Sequence, residues 1–312
     1  MIQKKNYCIF QEEWWLNSVA PNRWKYVEVQ KSGEIIARMP YVIKKKYGMT
    51  MLGMPALTQA LGPWLNNPDV KYAKKLAIQK VLMNQLIQQL PKFDYFLQNF
   101  HYNINNWLPF YWNKFDATTR YTYILENLSD LNSTWNGIQS NIRTDIKKAQ
   151  NKYKLNVHSE YGIEKFLDIN TLTFKRQGMN LPYEKNTVLN IEEACKQRDR
   201  RKILFAEDQK GNIHGAIYII WDENSAYYLM GGSDPLHRNS GAMSLLVWEA
   251  IKHVSSLSIK FDFEGSMIEP IERFFRAFGA KQVPYFQVSK IGSRRMGIYQ
   301  GTKAIIKSIS RG

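Results

Sequence analysis

The chain has 312 residues, a formal charge of +16 and a pI near 9.6, with 44% hydrophobic and 13% aromatic residues. That balance excludes a disordered polymer, and the length supplies two domains, or one large one, with ample core material. The charge favours polyanionic partners (phosphate-bearing cofactors, nucleotide-linked substrates, nucleic acid or an anionic membrane face) without locating a site. Cys8 and Cys195 are the two cysteines, far apart and without metal or redox spacing, which points to a reduced, cytoplasmic setting. No run reaches signal-peptide or membrane-spanning length, and Leu76 to Leu90 is interrupted by Gln and Lys.

Along the chain, Gln11 to Ala20 reads as a short helix ended by Pro21, and Trp24 to Gln30 with Glu34 to Lys45 as a hairpin turning at Lys31-Ser32-Gly33. Thr50 to Met54 extends the meander. A Pro/Gly-marked loop follows, then a long helix from Asp69 to Leu90, stopped by Pro91. Lys92 to Gln98 is a strand, Trp107 to Trp112 a short aromatic helix and Tyr121 to Leu125 a strand. Asn127 to Ser140 reads as a connection, Asn141 to Tyr153 as a basic helix and Leu155 to Ser159 as a strand. Helices are expected over 163–177 and 187–198, and a second meander over 202–207, 212–220 and 227–230. A helix from Ala242, strand Ile259 to Glu264, helix Glu269 to Phe278 and strand Gln282 to Lys290 complete the pattern. A basic tail from Gly292 ends in a helix over 302–309.

The order of elements occurs twice, which suggests a tandem duplication. Lys92-Phe93-Asp94-Tyr95 answers Lys260-Phe261-Asp262-Phe263, and Gln59-Ala60-Leu61-Gly62 answers Arg238-Asn239-Ser240-Gly241. In the second half a helix starts directly after Gly241. Ser240 is placed to cap it, Gly241 to let a ligand approach the backbone, and Arg238 to add a fixed cation. That stretch reads either as a pyrophosphate cradle, running from Arg238 to Ala242, or as an ordinary strand–loop–helix connection. In the first half Pro63 and Pro68 push the helix start away from Gly62, so this copy is expected to lack a cradle.

Helix, antiparallel meander, Arg-x-x-Gly turn, helix, strand, helix, strand resembles the GNAT acyltransferase fold. Arg238-x-x-Gly241 is similar to the first part of its coenzyme A pyrophosphate motif, with Met243 where the motif has a second small residue. The tandem arrangement, the basic stretch NIRTDIKKAQNKYKLNV, and Phe261 to Met267 with Ile271 to Gly279 resemble the FemABX group and related polysaccharide-linked acyltransferases. The resemblance implies an α/β (α+β) fold of two GNAT-like domains, each a mixed, largely antiparallel sheet flanked by helices. The expected division is 1–126 as the acceptor-side domain, 127–291 as the acyl-CoA domain and 292–312 as a basic tail. It implies transfer of an acyl group, acetyl from acetyl-CoA foremost, to an amine of a cell-wall or surface-polysaccharide precursor, without metal. Aminoacyl-tRNA as donor, and a non-catalytic binding protein, are the alternatives.

Acyl transfer to an amine needs a base, a holder for the tetrahedral oxyanion and a satisfied leaving group. On strand 259–264, Asp262 and Glu264 share one face, opposite Phe261 and Phe263. Glu264 is the expected general base. Asp262 has two readings, a second catalytic acid or a structural partner of Arg or Lys on the basic helix. The amides of Met230 and Gly231 are placed to hold the oxyanion. Tyr285 is a candidate proton donor to a leaving thiolate, or a packing residue. Arg143 and Lys147, four apart on the basic helix, either contact substrate phosphate or form a solvated face. The five histidines show no metal-ligand spacing.

Overall fold

The computed structural model describes residues 8–309 apart from 67, 177 and 266, with side chains as far as Thr302. A 3-10 turn and α1 (Glu13–Val19) lead into β1 (Trp24–Lys31), β2 (Glu34–Lys46) and β3 (Met49–Gly53), with β4 (Trp64–Leu65) laid on β2. Then come α2 (Tyr72–Gln89), β5 (Tyr95–Asn99), α3 (Leu108–Trp112) and β6 (Asp116–Leu125). The connection expected over 127–140 contains a helix, α4 (Leu131–Gly137), because the Asp130 carboxylate caps the amides of Asn132 and Ser133. Next are α5 (Ser140–Asn151), β7 (Asn156–His158), α6 (Ile163–Arg176) and α7 (Lys185–Lys196). The second meander is β8 (Arg201–Glu207), β9 (Ile213–Trp221) and β10 (Ser225–Ser233). It is followed by a 3-10 helix (Pro235–Ser240), α8 (Ala242–Val254), β11 (Lys260–Asp262), α9 (Glu269–Arg276), β12 (Lys281–Ile291) and α10 (Arg294–Ile309).

The chain forms two compact units, residues 1–120 with 284–312, and residues 121–283. In the first, β1, β2 and β3 run antiparallel, β3 pairs in parallel with β5, and β5 pairs antiparallel with β12. In the second, β7 to β10 run antiparallel, β10 pairs in parallel with β11, and β11 pairs antiparallel with β6. The same plan is therefore built twice, and the closing strand of each half completes the sheet of the other. This exchange moves the unit boundaries from 126/127 and 291/292 to 120/121 and 283/284. Strand exchange leaves every local pattern intact, so nothing in the periodicity announces it.

The cores follow the patterning. In the first unit Leu82, Met83 and Leu86 of α2 pack with Met39, Leu52 and Phe96 of the sheet. In the second, Ile142 and Ile146 of α5 and Leu245, Leu246 and Ile251 of α8 pack with Phe261, Phe263 and Ile217. β9 is buried along its whole length, as a strand covered by helices on both faces must be, with α8 and α6 both against it. The repeat of short aromatic words is not in register. Asp94 precedes β5 and accepts from the Thr50 amide at 2.7 Å, whereas Asp262 is the last residue of β11.

Candidate active site

β10 and β11 pair in parallel only at Ser225↔Lys260, Ala226↔Phe261 and Tyr227↔Asp262, while β10 runs on to Ser233. Past that point β10 carries a bulge. Its register on β9 moves from Tyr228↔Ile219 to Met230↔Tyr218, leaving Leu229 as the extra residue. Gly231 and Gly232 follow. A Cβ on Gly232 would stand 2.6 Å from Asn170 Cα, so the glycine admits α6 against the strand. Asn170 Nδ2 donates to the Gly231 carbonyl at 2.9 Å, and Tyr183 Oη donates to Asn170 Oδ1 at 2.5 Å. Burial pushes the Tyr183 hydroxyl up to about 12, which keeps it a donor. The Ser233 amide donates to Thr173 Oγ1 at 3.0 Å. From the α8 side, Met243 brings Sδ within 3.0 Å of where a Gly215 Cβ would be, and Cε within 3.2 Å of a Gly231 Cβ. Gly215 thus makes room for the side chain that stands where the motif has a small residue, whereas a Cβ on Gly231 would first meet the Tyr228 hydroxyl, 1.8 Å away.

The turn into α8 is more ordered than a plain loop. Asp234 accepts from the Leu236 amide at 2.9 Å and starts the 3-10 helix. His237 of that helix stacks on buried His214 of β9, with ring centroids 4.1 Å apart, and each imidazole meets its own carboxylate, Asp234 or Asp208, at 3.3 Å. Arg238 and Asn239 are exposed and Ser240 is buried. Ser240 Oγ accepts from the Ala242 amide at 3.3 Å, so one amide of the expected cradle is already used. The Leu245 amide makes the first bond of the helix, to the Gly241 carbonyl at 3.0 Å, which leaves the amides of Met243 and Ser244 ahead of the ladder.

Gly241 is left-handed at φ +83, and a Cβ there would stand 2.2 Å from the Asp145 carbonyl oxygen. Its bare face is turned to α5 rather than to a ligand, which corrects the reason given for that glycine. Gly241→Ala is expected to cost about 2 kcal/mol or more, combining left-handed strain with the α5 contact. A thermal melt as high as the parent's would show that α5 yields at no cost. On α5 itself, Arg143 is half-buried and donates to the Asn136 carbonyl at 3.4 Å, while Lys147 is exposed. Lys148 pairs with Asp145 at 2.7 Å.

β11 ends at Asp262, and Glu264 is left-handed at φ +60, followed by Gly265 at φ +64. The strand alternation therefore stops short of Glu264. A Cβ on Gly265 would stand 2.1 Å from the Tyr121 carbonyl oxygen, so β6 sets this turn. Ser266 lies outside the described residues. The Asp262 carboxylate accepts from the Thr122 hydroxyl of β6, and from the Glu264 amide at 2.8 Å. The expected partner on the basic helix is thus corrected. Ile142 and Ile146 of α5 pack on the Phe261 and Phe263 face, opposite Asp262. Asp262 is 4% exposed, and burial raises its carboxyl to about 6, opposed by the bonds from Thr122 and Glu264. Glu264 has a buried Oε1, and its carboxyl is raised well above the usual range by burial, then by the charge of Asp262.

Asp262 and Glu264 are brought together, as are Arg238, Asn239, Ser240, Gly241 and Ala242, and Met230 with Gly231. Tyr285 is buried in the part of β12 that belongs to the first unit. Thr122, Asn170 and Tyr183 were missed. The Gly231-Gly232 pair was a legible sign of a close neighbour, but nothing in the sequence named Asn170 as that neighbour. Cys195 is buried, and burial pushes its thiol up to about 12, which keeps it protonated.

Residues 138–270 match the model of the Acetyltransferase (GNAT) domain. The crystal structure of FemX is similar in fold over 95% of this chain and 94% of that one, with a TM-score of 0.67 and 12% identity. A tandem GNAT protein from the clavulanic acid biosynthesis pathway aligns over 89% of this chain and 86% of its own, with a TM-score of 0.54 and 10% identity. L-PGS from Bacillus licheniformis aligns over 91% and 88%, with a TM-score of 0.53 and 10% identity. No curated protein matches the sequence. Residues 138–270 thus match an acetyltransferase (GNAT) domain, within a chain whose fold is shared with FemX and a tandem GNAT protein.

Proposed function

We propose that the protein transfers an acyl group, acetyl foremost, from acyl-CoA to an amine of a cell-wall or surface-polysaccharide precursor in the cytoplasm. The observation that carries this reading is Glu264, a half-buried residue with a buried Oε1, on a left-handed turn just past the point where β10 and β11 stop pairing. The raised carboxyl suits a base that must hold an ammonium proton near neutral pH. In the proposed reaction Glu264 removes the amine's proton as the nitrogen attacks the acyl carbonyl. The amides of Met230 and Gly231 face the developing oxyanion, held in place by the bulge and by Asn170. The proton Glu264 takes balances the one the departing thiolate acquires.

For the donor's pyrophosphate, exposed Arg238 and Asn239 and the amides of Met243 and Ser244 supply fitting donors at the start of α8. The first half offers no counterpart on this reading. Its Leu61 amide is bonded to the Asn99 carbonyl at 2.8 Å, its Gly62 amide to Gln98 Oε1 at 3.2 Å, and α2 begins only at Tyr72. One calorimetric titration series with coenzyme A, acetyl-CoA and bulk tRNA tests the assignment. Coenzyme A is expected to bind once per chain, and Arg238→Ala to weaken it by about 1–3 kcal/mol, the scale of a charge-assisted hydrogen bond. Two equivalent sites, or an unchanged affinity in the variant, would refute the cradle. The second reading, an aminoacyl-tRNA donor, is favoured by the Ala242 amide already taken by Ser240 and by the chain's formal charge of +16. Binding of tRNA without coenzyme A would select it.

A further inference from the structure

The positive charge is unevenly held. The first unit carries 22 Lys and Arg against 7 Asp and Glu, and the second 21 against 20. The unit with the acyl-transfer site is nearly neutral, so the polyanion bias belongs to the other one. Within it, the register of the sheet concentrates basic groups at one end. Lys44 pairs with Met51, Met51 with Tyr95 and Tyr95 with Ile291, so the β2–β3 turn, the start of β5 and the end of β12 share an edge. Lys45, Lys46 and Tyr47 project beyond Lys44, and exposed Arg294 and Arg295 open α10 beyond Ile291. The Tyr47 ring meets the Tyr299 ring at 5.8 Å and ties the turn to α10.

Exposed apolar groups lie among these cations. Tyr47 is 68% exposed, Ile291 49% and Ile298 63%. Ile291, Gly292, Gly297 and Ile298 line a shallow groove with Arg294. The mixture discriminates between polyanions. A nucleic acid rewards cations and rings but gains little from exposed isoleucine, whereas an anionic bilayer offers phosphates above hydrocarbon. Among the described residues no helix is long and apolar enough to cross a membrane, so such a contact would be peripheral.

We propose that this edge of the first unit docks on an anionic membrane surface, with Lys45, Lys46 and Arg294 at the headgroups and Tyr47, Ile291 and Ile298 in the interfacial layer. The test is co-sedimentation of the full chain with phosphatidylcholine vesicles, with and without 30 mol% phosphatidylglycerol, in about 0.1 M salt, where surface charge is still felt. Partition is expected on the anionic vesicles and not on the neutral ones. Lys45→Gln/Lys46→Gln/Arg294→Gln should lower it on the order of a hundredfold. Ile298→Ser, which keeps every charge, should lower it about tenfold. Equal behaviour on the two vesicle types overturns the proposal, and so does parent-like partition of the triple variant. Undiminished binding by Ile298→Ser overturns it as well. If that variant also binds bulk tRNA like the parent while the triple variant loses tRNA, the edge is a nucleic-acid surface instead. Far-ultraviolet circular dichroism of both variants must match the parent, as these exposed positions allow.

Discussion

Glu264→Gln is expected to fold and to bind the acyl donor as the parent does, while turnover falls about 10²–10⁴-fold, the range for losing a general base. Gln keeps the size of the side chain and inherits the same left-handed backbone as Glu264, at φ +60, so neither the turn nor Gly265 behind it is disturbed. What is lost is the ability to hold a proton. The pH profile supplies a readout that mere misplacement would not move. In the parent, burial and the charge of Asp262 hold the Glu264 carboxyl well above the ordinary range. Its basic form therefore accumulates only at higher pH than for a free carboxylate, and kcat/KM should climb through that raised value. The variant should lack this limb, and its deficit should shrink at high pH, where more of the amine is already neutral. A Glu264→Gln enzyme with parental turnover would leave catalysis to positioning or to a group on the substrate.

How far the sequence foretold this site depends on which forces act locally. The start of α8 at Ala242 was legible because glycine followed by a dense apolar pattern is a local signal, and the structure starts the helix there. The meanders were legible for the same reason. The end of β11 was not. Phe261-Asp262-Phe263-Glu264 alternates perfectly, yet the left-handed pair Glu264 and Gly265 breaks the strand after Asp262, because Gly265 must seat on the Tyr121 carbonyl of β6. That constraint comes from a strand far away in sequence. Thr122 as the partner of Asp262 was hidden in the same way, since only the exchange of closing strands brings β6 onto β11. Ser240 was read as a cap and does accept from the Ala242 amide, but that bond uses a donor meant for the ligand. Local chemistry was read correctly there, and its consequence for the cradle needed the geometry.

Asp262→Asn is expected to stabilise the protein above neutral pH and to leave it unchanged near pH 4. Asp262 is 4% exposed, and burial raises its carboxyl to about 6 from an unfolded value near the ordinary aspartate range. For an acid whose folded pKa is raised, the folded state binds the proton more tightly than the unfolded one. The associated stability is fully present below the unfolded pKa and is lost as pH rises through the folded pKa. The window therefore runs from about pH 4 to about pH 6, and about 3 kcal/mol is lost across it, an upper figure for a buried site that relaxes. Asparagine keeps an oxygen able to accept from both the Thr122 hydroxyl and the Glu264 amide, and it never ionises. Urea melts of parent and variant at pH 4, 6 and 8 should therefore diverge with rising pH, with the variant ahead. The Glu264 carboxyl, relieved of its charged neighbour, should titrate lower, moving the rising limb of kcat/KM toward acid. A variant that instead loses ground to the parent at pH 8 would mean that the Asp262 anion is held by a favourable partner. In that case the acid pair would act as an ion site rather than as a desolvated base and its neighbour.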